Sequence, residues 1–216
     1  MIINDEYDFF FYHIPKCAGT TCRSELIRIG SDSGELWSGV EMHGMKYYKH
    51  TEIRFLPPIT QEHVFTVVRN PWERFHSLYW DCRNRLRHLK SGNETLKKWY
   101  WKMHLQSRLP FPEWIMTAEY IHPSEYLYNT NPLNTLNKSQ MYYIEGQDNI
   151  KFFRLEELSK LDDYLYELTG KKTSIATLKL NNSKRPYHYR DQFDNESREK
   201  VAEIAAPEIE KFGYEF

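Results

Sequence analysis

The chain has 216 residues, with 29 Lys and Arg against 30 Asp and Glu for a formal charge of −1. One domain fits that length, and a chain this long buries roughly 70% of its unfolded surface without a metal or disulfide staple. Near-neutral charge argues against a protein that coats nucleic acid through its overall field, and 40% hydrophobic content with 16% aromatics excludes disorder.

Three cysteines, Cys17, Cys22 and Cys82, are too few for a disulfide framework and fit a reducing compartment. No apolar run approaches the roughly 18 residues of a membrane helix. The run Phe9 to Tyr12 follows Asn4-Asp5-Glu6, the wrong charge for a signal peptide.

Aromatic and β-branched residues from Tyr7 to Ile14 predict a buried strand, broken by Pro15-Lys16-Cys17-Ala18-Gly19. A helix follows from Thr20 to Ile29, with Gly30 as its natural C′ residue. Residues 31–60 read as mixed, with loops. Val64 to Val68 has the length of an interior parallel strand. Asn70-Pro71-Trp72-Glu73 then opens a helix, with Asn as N-cap, Pro at N1 and Glu at N3. Residues 83–121 look helical and aromatic. Ile150 to Arg154 predicts another strand, followed by a helix from about Glu156 to Thr169 that Gly170 stops. The tail from Glu196 to Phe212 is helical, with Pro207 interrupting it. Strands alternating with helices imply a three-layer αβα fold with a central parallel sheet. Ligands in such folds sit beyond the carboxyl ends of the strands.

Two loops fall there. Strand, then Pro15 to Thr21, then helix is the geometry of an anion cradle. Gly19 lets backbone approach an oxyanion, the helix N-terminus offers N–H groups, Thr20 and Thr21 add hydroxyls, and Lys16 adds a charge. The lysine precedes the glycine, so this is not a Walker A loop. The same letters, Cys17 to Ser24, satisfy C-x5-R-S, the loop of cysteine-dependent phosphatases with Cys17 as nucleophile and Arg23 holding phosphate. Against that reading, the chain contains no Asp-Pro pair to supply their usual general acid. In the second loop Arg69 ends a strand and can fork onto a phosphate. Ser77 follows eight residues later on the helix.

Taken together, His13 to Thr21 and Val68 to Tyr79 resemble the two donor-binding motifs of sulfotransferases that use 3′-phosphoadenosine 5′-phosphosulfate (PAPS). The forms are H-I-P-K-x-x-G-T-[ST] and V-R-[DN]-P-x-x-R-x-x-S-x-Y. Ser139-Gln140 with Tyr142 and Tyr143, Phe152 to Leu158, Leu180 to Ser183 and Glu208 to Tyr214 follow in the same order. The resemblance is nearest the carbohydrate branch that includes heparan sulfate 2-O-sulfotransferases, and it covers nearly the whole chain as one domain with P-loop-like nucleotide-binding architecture. It assigns Lys16 to the oxygen bridging sulfate and 5′-phosphate, and Cys17, Ala18, Gly19, Thr20 and Thr21 to the 5′-phosphate loop. Arg69 and Ser77 would hold the 3′-phosphate, and Arg185 would close over the nucleotide. It calls for no metal.

The acceptor hydroxyl needs a base. The resembling enzymes carry a histidine between the motifs, sometimes as His-Gly-His; here the segment reads Met42-His43-Gly44-Met45, so His43 is the candidate, with Glu41 and His50 as alternatives. From Asp81 to Lys102 seven basic residues stand against Asp81 and Glu94, interrupted by Trp99-Tyr100-Trp101. An acceptor-side insertion spanning about 81–130 and taking a glycan is the expectation, an anionic glycan being one hypothesis, a peptide tyrosine or a small alcohol the other acceptors, and a solvated amphipathic helix with core-facing aromatics the structural alternative. The Golgi relatives carry a membrane anchor, so a soluble cytoplasmic enzyme is expected here before a trimmed lumenal domain. A nucleotide-binding module without catalysis would keep Arg69 and Ser77 yet could dispense with Lys16.

Overall fold

The structure is a computed structural model describing residues 1–30, 40–42, 45–47, 53–84, 108–117, 139–178 and 185–216, the two short segments 40–42 and 45–47 by backbone alone. The chain divides into two compact units: Met1–Arg69 with Gln140–Asn182, and Asn70–Ser139 with Ser183–Phe216.

The first unit holds a mixed, mostly parallel sheet of four strands in the order β1-β2-β5-β6, where β1 is Ile2–Asn4, β2 Phe9–Tyr12, β5 His63–Val68 and β6 Lys151–Arg154. β2 and β5 run parallel with Phe9 opposite His63 and Tyr12 opposite Thr66, and β6 continues the parallel set. β1 departs from the all-parallel expectation. It turns back through Asp8, at φ 48, and pairs antiparallel along the edge, Ile2 opposite Phe11. A connection this short can join only antiparallel neighbours.

Alternation puts Phe9, Phe11, Phe65 and Phe153 on one face. Tyr164 packs there, with its ring centroid 5.6 Å from Phe65 and 5.2 Å from Phe153. Tyr164 belongs to α5 (Ser159–Thr169), which follows a short 3₁₀ turn at Leu155–Glu157. Gly170 stops α5 as expected: its φ of 68 is the left-handed conformation in which the chain leaves a helix, and its N–H returns to Tyr166 at 2.8 Å.

α1 (Gly19–Ile29) ends at Gly30, but by another device. Gly30 is extended, not left-handed, and the Lys171 ammonium donates to the Ile29 carbonyl at 2.7 Å. A cation at a helix C-terminus meets both an orphan carbonyl and the negative end of the dipole. The unit also contains a two-stranded hairpin, β3 (Val40–Met42) and β4 (Met45–Tyr47), in the segment read as mixed, and the short helix α4 (Gln140–Ile144).

The second unit is helical among its described residues. α2 (Pro71–Asn84) begins at the predicted cap, where Asn70 Oδ1 accepts from the Trp72 and Glu73 N–H groups at 3.1 and 3.3 Å. Of the helical reading for 83–121, the described part contains α3 (Phe111–Met116). The Phe111 ring lies 5.2 Å from Tyr79 and 4.7 Å from Phe193, edge to face. The tail forms α6 (Asn195–Ile204) and α7 (Ala206–Phe212), parted before Pro207 as predicted. No helix among the described residues is long and apolar enough to cross a membrane. The architecture is α/β, a mixed sheet flanked by helices.

Candidate functional site

Strand register carries the two motif loops of the first unit toward one another. β2 stops at Tyr12 opposite Thr66, while β5 runs on to Val68. Beyond that pair the chain leaves β2 and turns at Pro15 and Lys16, while Arg69 follows directly on β5. The Arg69 guanidinium does reach that loop, donating from Nη1 to the Lys16 carbonyl at 3.1 Å. Arg69 itself is only 6% exposed.

The loop takes an unusual path. Lys16 and Ala18 both have positive φ, 69 and 54. Such angles cost a non-glycine residue free energy and persist only where surrounding contacts over-determine them. The Ala18 carbonyl accepts from Cys22 N–H at 3.0 Å and so opens α1, but alanine offers no side-chain cap, and the first turn holds no acidic residue. A helix start of this kind favours an anion for its orphan N–H groups and positive dipole end. Lys16, Ala18 and Thr20 are partly exposed, whereas Cys17, Gly19 and Thr21 are buried. Gly19 packs directly against the His13 imidazole, whose Cδ2 and Nε2 lie only 1.7 Å from where a Cβ would stand.

The geometry overturns the C-x5-R-S phosphatase reading. Gly19 to Arg23 are already helical, so the five residues between cysteine and arginine do not wrap around a phosphate. Cys17, 1% exposed, donates its thiol to Gln140 Oε1 at 3.1 Å and to the Pro15 carbonyl at 3.7 Å. Both contacts use the thiol as a donor, a role that the thiolate needed to attack phosphorus cannot fill. Its neighbour Cys22 is pushed above the ordinary thiol range by burial first and by Cys17 second.

Gln140 is the residue that sequence reasoning passed over, beyond its place in the motif order. It opens α4 and is fully buried. Its Oε1 accepts from the Arg69 N–H at 2.8 Å as well as from Cys17, and its Nε2 donates to the Arg69 carbonyl at 2.8 Å. The signal available was a lone amide in the otherwise apolar run Met141-Tyr142-Tyr143-Ile144, since a buried amide must be hydrogen-bonded.

Of the other predicted residues, Ser77 and Arg185 belong to the second unit. Ser77 is buried on α2. Arg185 is ion-paired with Glu73 in the first turn of α2, Nη1 to Oε1 at 3.2 Å. His76, also buried, lies 2.9 Å by Nε2 from Gln192 Oε1, and the Trp80 indole N–H points at the same two atoms. His43, His50, residues 85–107 of the basic aromatic segment, and Asn182 to Lys184 lie outside the described residues; of Glu41 only the backbone on β3 is described. Among the described residues no group of His, Cys, Asp and Glu is arranged to hold a metal ion.

The model of the sulfotransferase family matches the chain over residues 1–215. No curated protein and no solved structure matches it at a significant level.

Proposed function

Because the chain belongs to the sulfotransferase family, and is therefore a transferase, we propose that it moves the sulfuryl group of PAPS to an acceptor hydroxyl on a carbohydrate by in-line displacement. The observation that carries this reading is the seating of Arg69 on the Lys16 carbonyl. It sets a strand-end guanidinium beside a capless, cation-bearing helix start, as a nucleotide phosphorylated at both its 3′ and 5′ positions requires.

In this reading Lys16 neutralises the charge that grows on the leaving 5′-phosphate as the S–O bond breaks, and Gly19, Thr20 and Thr21 hold that phosphate with Cys17 and Ala18 shaping the loop. Arg69 holds the 3′-phosphate, and the resemblance gives Ser77 the same task. Sulfuryl transfer needs positioning and charge stabilisation more than covalent chemistry, and this donor set of amides, hydroxyls and cations supplies both. Arg185 closes over the nucleotide after exchanging its Glu73 partner. His43 takes the acceptor proton, with Glu41 and His50 as the other candidate bases. Both units act as a single sulfotransferase domain of P-loop-like architecture, and residues 81–130 form the acceptor side for a glycan, an anionic one by the charge of the segment. The cysteines Cys17, Cys22 and Cys82 are all buried thiols, which suits a reducing, cytoplasmic setting.

Calorimetry with two nucleotides tests the donor. The protein should bind adenosine 3′,5′-bisphosphate far better than AMP. A charge-assisted contact contributes about 1.5–3 kcal/mol, so Arg69→Ala should weaken bisphosphate binding roughly 10- to 150-fold. Equal affinity of the wild type for the two nucleotides refutes the donor assignment. Screening acceptors with radiolabelled PAPS then identifies the hydroxyl.

A further inference from the structure

We infer that Gln140 is a positioning residue for the donor, a single buried side chain that sets the Arg69 guanidinium and the Lys16–Cys17 loop at fixed separation. The inference rests on the donor reading above and extends it to a residue that touches no substrate.

Arg69 lies where the sheet runs out. Its predecessor Val68 is the last residue of β5 and still pairs with Arg154 of β6. The next residue on that side, Leu155, has already entered a 3₁₀ turn, and on the β2 side the chain has left the ladder at Tyr12 and turns at Pro15, which has no N–H to give. A buried peptide beyond the end of a ladder still needs partners for its N–H and C=O. The Gln140 amide supplies both, accepting at 2.8 Å and donating at 2.8 Å, as a one-residue strand would.

The same Oε1 takes the Cys17 thiol at 3.1 Å. Cys17 stands between the two left-handed residues, Lys16 and Ala18, so the clasp also pins the strained part of the loop. A closed circuit results. Gln140 holds the Arg69 backbone, the Arg69 side chain holds the Lys16 carbonyl at 3.1 Å, and Lys16 is joined covalently to Cys17, which returns to Gln140. Removing the amide takes away both bonds it makes to the Arg69 peptide and lets the guanidinium shift, and a misplacement of about 1 Å costs on the order of 10²-fold in positioned chemistry.

A purely structural glutamine would lower stability and weaken all nucleotides alike. A positioning glutamine instead changes which nucleotide is preferred. The test is calorimetry on the full chain with adenosine 3′,5′-bisphosphate and with AMP, for wild type, Gln140→Met, Arg69→Ala and the double variant. Gln140→Met keeps side-chain length and removes every hydrogen bond. It should lower the bisphosphate-to-AMP preference about 10- to 100-fold, and adding it to Arg69→Ala should lower the preference no further.

Gln140→Asn keeps the amide but is one methylene too short to reach both Arg69 and Cys17. It should give a smaller drop and carries the test if the methionine variant does not fold. Folded variants that keep the wild-type preference, or losses that simply multiply in the double variant, overturn the inference while leaving the donor reading intact. A wild type with no preference for the bisphosphate overturns both.

Discussion

Gly19→Ala is a perturbation whose sign the structure sets through one neighbouring side chain. An ideal Cβ at residue 19 would stand 1.7 Å from both Cδ2 and Nε2 of His13 and 2.4 Å from Cε1. Carbon atoms meet comfortably at about 3.5 Å, so the ring must retreat by about 1.8 Å and leave its place over Phe11, where the centroids are 6.5 Å apart and the planes 18° apart. Overpacking of this kind costs about 1–3 kcal/mol. Alanine in place of glycine in a helix returns about 1 kcal/mol. The net expectation is a loss of up to about 2 kcal/mol.

With His13→Ala in the background the obstacle is gone, and Gly19→Ala should become neutral or stabilising by up to about 1 kcal/mol. Urea denaturation of the four proteins measures this through the midpoints, provided the slopes agree. The coupling between the two substitutions should be about 1–3 kcal/mol, within the range for residues in direct contact. An equal loss from Gly19→Ala in both backgrounds refutes the reasoning, because backbone and not the imidazole would then be excluding the Cβ.

The transfer chemistry separates the loop residues. Lys16→Ala should lower turnover on the order of 10²-fold or more, by analogy with losing one oxyanion donor, whereas Cys17→Ser should keep most activity because a hydroxyl can also donate to Gln140. Steady-state transfer assays decide it, and loss of all activity in Cys17→Ser contradicts the assignment. In the same assay His43→Ala should lower turnover about 10²- to 10⁴-fold and abolish the acidic limb of the pH–rate profile if His43 is the base.

For stability, the Ser197 hydroxyl first and the Ser197 N–H second hold the Asp194 carboxyl below its ordinary value, in a capping box at the start of α6. Asp194→Ala should cost about 0.5–2 kcal/mol near neutral pH, or a few degrees of Tm at this chain length. A group whose folded pKa is lowered stabilises fully above its unfolded pKa and loses that contribution as pH falls through the folded one. The gap in Tm between wild type and variant should therefore narrow under acid, and a constant gap down to strongly acid pH contradicts this account.

Local rules made much of this protein legible from its sequence. The β2–loop–α1 unit, the Asn70 cap with Pro71, the Gly170 stop and the break before Pro207 each depend on residues within a turn of one another, where propensity and capping act directly. The motifs at His13 to Thr21 and Val68 to Tyr79 are local in the same sense, and they sufficed to point to the family that matches residues 1–215.

Tertiary structure decided what depends on residues far apart in the chain. The edge strand β1 is only three residues long, too short to show a period, and forms because Phe9 to Tyr12 offer it a ladder. The end of α1 is finished by Lys171, 142 residues on. Gln140 meets Arg69 across 71 positions and Cys17 across 123. A hydrogen bond between distant residues leaves no periodicity behind, so a buried glutamine reads in sequence like any polar residue at a helix start. Only the folded sheet, by running β5 past the end of β2, brings the Arg69 peptide to the Gln140 amide that holds it at both N–H and C=O.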